Sequence, residues 1–413
     1  MRKFYALSTF LFFATFAFSQ ATVKILFDAT KAEMAGNADW VIDANTHNIG
    51  YTNGPAVVGQ GNESNPAITP SPAQSGVTSS TSETFWTGAL SAWGIDCAKQ
   101  GYVVETLPYN GAITYGNSSN AQDLSNYKVF IVCEPNIVFT ATEKTAMVNF
   151  VQNGGGLFIV SDHDVSDRNN DGWDSPGIWN DLLTNNSVQN DPFGFSVDLQ
   201  NFSETTTNVA NLPGDSVLNG PMGNVTEAMW TNGTSFTINH TDNPTTKGVI
   251  YKTSSSTTGT TNVMCLYGRY GSGKFAAIGD SSPCDDGTGD PNDVLYNGYF
   301  SDAAGNHQLL IMNITIWLAE TNTLTTSVQE NTNDFSARIY PNPSAGIFNV
   351  DFSNAKNAPV KISVYNVLGE TVESEIANSS SEAIDLNEKP NGIYFVAIEN
   401  GKSRKFFRIE KSN

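Results

Sequence analysis

Basic residues are scarce in this 413-residue chain: 21 Lys and Arg stand against 41 Asp and Glu, a formal charge of −20. Such a balance repels phosphate backbones and anionic headgroups, which excludes a nucleic-acid binder and a peripheral membrane protein. Charged residues make up only 15% of the chain, so long solvated helices of the cytosolic kind are not expected. Four cysteines are too few to staple a protein of this length. They allow three full pairings of Cys97, Cys133, Cys265 and Cys284, among which the sequence does not choose.

Long apolar runs are also missing, with one exception. Arg2 and Lys3 precede Phe4 to Phe18, and small residues close the run before Gln20. This is the pattern of a secretory signal peptide over 1–19, shorter than the roughly 20 apolar residues of a membrane span. No transmembrane segment is expected elsewhere. The length itself calls for two cores. Residues 21–333 carry ten basic and 31 acidic residues, and residues 334–413 carry nine and ten. The shift falls at a polar stretch over 321–333 that reads as a linker.

Between 20 and 320, apolar strands alternate with helices. Val23 to Asp28, Tyr102 to Leu107, Lys128 to Cys133 and Leu157 to Ser161 read as buried strands. Ser80 and Glu83, and again Thr140 and Glu143, have capping-box spacing, predicting helices over 81–100 and 140–153. Asn262 to Gly268 and Lys274 to Asp280 flank a Gly271-Ser272-Gly273 turn, and an amphipathic helix follows near 306–319. The expected fold is α/β, a doubly wound, mostly parallel sheet with that antiparallel hairpin at one edge. Short alternating strands after 334 predict a small C-terminal β-sandwich.

Ligands of such sheets gather beyond the carboxyl ends of the strands, and acids follow several strands here. Asp28 ends the first strand, Glu134 follows the third, Asp162-His163-Asp164 the fourth, and Asp280 the last, before Asp285 and Asp286 on a glycine-rich loop. Gathered carboxylates repel one another and need protons, basic residues or a cation. Arg168 is the only Arg between 21 and 260, which favours a divalent cation. Asp167, Asn169, Asp171 and Asp174 fit the opening of a Ca²⁺ loop, although Ile178 stands where an EF-hand needs its glutamate. A plain Asx-rich turn fits the same residues. Another divalent metal at His163, with His307 as a distant ligand, is the weaker alternative. Trp173 and Trp179 flank this loop as candidates for stacking on a sugar or peptide, with packing as the alternative. Asn62 to Ser82 reads as a polar flap.

Two resemblances add to this. Tyr340 to Ser344, Val364 to Gly369, Pro390 to Tyr394 and the basic end from Lys402 resemble the C-terminal sorting domain of type IX secretion in Bacteroidota. The resemblance implies a secreted protein exported across the outer membrane by that machinery, often surface-attached. The order from Ile25 to Asp280 resembles the class I glutamine-amidotransferase-like superfamily. Its gliding-motility, intraflagellar-transport and trehalose-utilisation-like branches are the nearest in pattern. Val160-Ser161-Asp162-His163-Asp164 stands at the superfamily's Gly-x-Cys-x-Gly elbow without the cysteine or its glycines, so amidotransferase chemistry is not expected.

Two functions remain open. One is binding of an extracellular glycan or protein at a metal-occupied crevice, with Asp28, Trp173, Trp179, Asp285 and Asp286 as contacts. The other is metal-assisted hydrolysis of extracellular polymer by Glu134, Asp162, His163 and Asp280.

Overall fold

The computed structural model describes residues 22–35, 38–43, 67–289, 296–300, 305–320, 336–353, 359–367, 369–377, 379–400 and 403–412. The expected signal peptide, the linker over 321–333 and the start of the flap lie outside the described residues. The chain divides into two compact units, 1–322 and 323–413.

The first unit is built on one mixed sheet. Strands β1 (Lys24–Asp28), β2 (Val103–Leu107), β3 (Val129–Cys133) and β4 (Gly156–Val160) are separated by helices α1 (Ser91–Lys99) and α2 (Ala141–Gln152). Helix α3 (Ser175–Thr184), strand β5 (Phe195–Val197) and a ribbon of β6 (Phe202–Thr206) and β7 (Ala228–Gly233) follow. Strands β8 (Phe236–Ile238), β9 (Lys247–Tyr251), β10 (Val263–Tyr270) and β11 (Gly273–Ile278) then lead to α4 (His307–Ala319). The order across the sheet is β2-β1-β3-β4-β11-β10-β8-β5, with β9 also paired to β10. The strands from β2 to β11 are parallel, and those beyond run antiparallel.

Every residue of β3 and β4 is buried, which is why their sequences are continuously apolar rather than alternating. The β10–β11 hairpin is therefore not an edge. It occupies the middle of the sheet, and the short strands β5 and β8, which carry few apolar residues each, lie outside it.

The second expected helix forms with its full capping box: Thr140 Oγ1 accepts from the Glu143 amide and Glu143 accepts from the Thr140 amide. The first does not. Ser82 caps only a single 3₁₀ turn over Glu83–Phe85, and Gly88 at φ 147 breaks the path, so α1 begins at Ser91. Its N-terminus is capped from a distance, where Asp286 Oδ2 accepts from the Ala92 amide at 2.7 Å.

The second unit has two antiparallel sheets around one apolar core of Phe348, Val350, Ile362, Val364, Val396 and Ile398. One sheet holds β12 (Ser336–Tyr340), β13 (Ile347–Ser353) and β16 (Ser381–Asp385). The other orders β15 (Thr371–Ala377), β14 (Val360–Tyr365), β17 (Gly392–Asn400) and β18 (Ser403–Lys411). The motif residues have structural tasks. The Asn342 side chain donates to the Arg408 carbonyl and accepts from the Glu410 amide, each at 2.9 Å, and so continues the β18 ladder where no strand lies. Tyr394 donates its hydroxyl to the Pro390 carbonyl at 2.7 Å, closing the turn before β17.

Candidate functional site

The sheet reverses its direction of growth at β1, whose neighbours are β2 and β3. Crevices of α/β sheets open beyond the strand ends near such a point. The register sets what meets there. Cys133 is level with Val160, and Val160 with Ile278. Glu134, Asp162 and Asp280 therefore leave neighbouring strands within a residue or two of one level. Close packing is possible at Asp280 because Gly279 precedes it: a Cβ there would lie 2.1 Å from the Thr234 carbonyl oxygen.

Glu134 is fully buried, and its backbone is held at φ 51, a left-handed conformation that costs a non-glycine residue. Its Oε2 accepts from Trp40 Nε1 at 2.8 Å and from Ser281 Oγ at 2.7 Å. Arg168 reaches Glu134 Oε1 through Nε at 3.2 Å and Nη2 at 3.1 Å, and Nη2 also lies 3.3 Å from Asp162 Oδ2. Burial, followed by the charges of Glu134 and Asp280, pushes Asp162 well above the ordinary carboxylate range, with Arg168 opposing. Burial pushes Asp280 up to about 7, although its oxygens accept from the Ser282 and Thr231 amides. The centre thus balances its charge with one guanidinium and with protons.

Asp28 belongs to a separate pair. It is hydrogen-bonded to buried Glu33; burial lifts Asp28 to about 6 and lifts Glu33 well above its usual range. Asp285 and Asp286 are buried as well and hold backbone: Asp285 accepts from Gly287 and Tyr296, and Asp286 from Ala92 and Thr288. Trp179 is fully buried, packs 5.5 Å from Phe139 and donates to the Val160 carbonyl, so it cannot stack on a ligand. Trp173 is 39% exposed and can.

The Asp167 to Asp174 loop is a set of Asx turns. Asp167 accepts from the Asp171 and Gly172 amides, Asp171 from Trp173 and from Asn169 Nδ2, and Asp174 from Val165, Asp167 and Ser166. These oxygens accept within the loop's own turns, and among the described residues no three His, Cys, Asp or Glu side chains are grouped so as to hold a metal. The loop's visible task is to carry Arg168 over the acids.

His163 sits beside the centre, with Nδ1 2.7 Å from the Asp164 carbonyl and Nε2 3.6 Å from Asp162 Oδ2. His307 is elsewhere and structural. Its Nε2 accepts from the Met229 amide, so Nδ1 carries the proton that it donates to the Gly298 carbonyl. Sequence reasoning missed Trp40 and Ser281 as partners of Glu134. It also missed Tyr296, whose hydroxyl is pushed above its ordinary value by burial, with Arg168 opposing and the charges of Glu134 and Asp162 adding. Tyr296 is exposed beside the centre, and Val165 and Trp173 are exposed on the loop that carries Arg168. No local motif marks these residues; only the topology assembles them.

Residues 338–410 match the family model described as the secretion system C-terminal sorting domain. That domain indicates a cargo exported across the outer membrane through the type IX machinery. No described helix is long and apolar enough to cross a membrane. A search of curated proteins finds no match. Among solved structures, the chain is similar to the mmIFT52 N-terminal domain, at 13% identity and a TM-score of 0.41, covering 72% of this chain and 99% of that one. It is also similar to a β-galactosidase from Bacillus circulans sp. alkalophilus, at 12% identity and a TM-score of 0.28, over 75% of this chain and 35% of that one. A DUF3244 family protein from Bacteroides vulgatus with an immunoglobulin-like β-sandwich fold matches at 12% identity and a TM-score of 0.17, over 19% of this chain and 95% of that one.

Proposed function

We propose that the exported α/β unit is a binding module for an extracellular glycan, held on the rim above the Arg168-sealed acids. One observation carries this reading: Glu134, Asp162 and Asp280 are at most 3% exposed, while Tyr296, close enough to feel the charges of Glu134 and Asp162, and Trp173, on the loop that carries Arg168, keep their rings partly exposed. Aromatic faces beside polar groups suit a sugar's apolar ring face and its hydroxyls. The amidotransferase-like reading agrees. In that reading Asp162 stands where the elbow carries its cysteine and is 3% exposed, so no thiol nucleophile is presented there.

A second reading, hydrolysis by the same carboxyls, draws support from Asp162 and Asp280, whose raised pKa values suit a general acid near neutral pH. One experiment separates the two. The full chain is screened on a glycan array, and the same glycans are assayed for released reducing ends. The binding reading expects retention without turnover, with Trp173→Ala and Tyr296→Ala each weakening it roughly tenfold at unchanged melting temperature. Turnover that disappears in Asp162→Asn would establish the second reading in its place. Absence of any glycan binding would end the first.

A further inference from the structure

The acid centre has a pair of thiols directly beneath it. Cys133, the last residue of β3, immediately precedes Glu134, and Cys284 closes the 3₁₀ turn over Ser282–Cys284 that follows β11. The two segments are already joined at this level. Ser281 Oγ donates to Glu134 Oε2 at 2.7 Å, and the Cys284 amide donates back to the Ser281 carbonyl at 2.8 Å. Both thiols are free and buried, and Cys284 is among the neighbours that raise the Cys133 thiol. Cys97 lies on α1, and Cys265 is level with Ile278 inside the sheet.

We propose that Cys133 and Cys284 form a disulfide in the exported protein, fastening the loop after β11 to the end of β3 beneath Glu134. The inference rests on the export address and not on the identity of any ligand. A chain bound for the outside of the outer membrane passes the periplasm, where disulfides form and persist. The oxidant is of the disulfide-carrying oxidoreductase class. One cysteine thiolate attacks a sulfur of the donor disulfide, giving a mixed disulfide and releasing the donor's other thiolate. The second cysteine thiolate then displaces the donor, which leaves as a dithiol with two electrons and two protons. Burial pushes the Cys133 thiol well above its ordinary value, so exchange belongs to the folding stage, before the segments close. The bond spans a loop of roughly 150 residues, a separation at which chain-entropy arguments give cross-links their larger effects.

The test uses the full chain recovered after passage through an oxidising periplasm and unfolded in denaturant with a maleimide reagent. Two of the four cysteines should label without reductant and all of them after reduction. Non-reducing peptide mapping should recover one linked pair, Cys133 with Cys284. A Cys97→Ala, Cys265→Ala double variant should show no free thiol before reduction and two afterwards, a readout taken in denaturant and so independent of native folding. Four labelled thiols in the unreduced chain, or a linkage through Cys97 or Cys265, would overturn the proposal.

Discussion

Arg168 is the residue on which the acid centre depends. It contacts Glu134 and Asp162 from a loop position that leaves its side chain 20% exposed. Removing one partner of a buried ionic group leaves the remaining charge uncompensated, at a cost of about 3 kcal/mol. The cost must depend on pH, and the sign follows from proton linkage. Asp162 and Asp280 keep protons in the folded chain that the unfolded chain releases near pH 4. Their contribution to stability therefore falls as pH rises through the window between the ordinary carboxylate value and the raised one, about 7 for Asp280. Arg168 holds the Asp162 value down, so losing it extends the decline to higher pH. Arg168→Met is expected to lose more stability at about pH 8 than at about pH 5, by urea unfolding at both. Equal losses would mean that the guanidinium does not act on these acids. The sequence shows the acids at the strand ends and shows Arg168 as a rare cation. It does not show that the Asx turns carry that cation back over Glu134, since this requires loops from β3, β4 and β11 to converge.

At the scale of elements, the same contrast recurs. Helix α2 is legible because its cap, Thr140 with Glu143, is local. Helix α1 is legible in its body but not in its start, because its cap comes from Asp286, 194 positions away, while the local signal at Ser82 is used by one 3₁₀ turn. Replacing Asp286 with Ala should cost about 1 to 2 kcal/mol of stability, read as a lower midpoint in thermal unfolding. An unchanged midpoint would show that the remote cap is dispensable. Helix α3 had a readable start, Asp174-Ser175-Pro176 with proline in the first turn, in a stretch that otherwise reads as irregular. The strands β5 and β8 are three residues each, too short for periodicity to mark them. They exist because pairing beyond β10 covers an edge that would otherwise stay open.

In the whole molecule, the two units were unequally readable for a physical reason. The tail's motifs are contiguous because Asn342 and Tyr394 act on nearby turns and on one adjacent strand. The α/β unit builds its centre from residues scattered between Trp40 and Ser281, joined only by sheet register. The charge is unequal as well: nearly all of the net −20 lies before residue 334, and at the acid centre it is offset by Arg168 and by the protons that burial favours on Asp162 and Asp280. The account predicts that these protons can be observed. In the full chain with carbon-13 in its aspartate carboxyls, an infrared titration should retain a protonated-acid band at about pH 6, where free aspartate is fully ionised. That band should diminish in Asp162→Asn and in Asp280→Asn. If every aspartate ionises together near pH 4, the sealed, proton-balanced centre does not exist, and the rim above it loses its foundation.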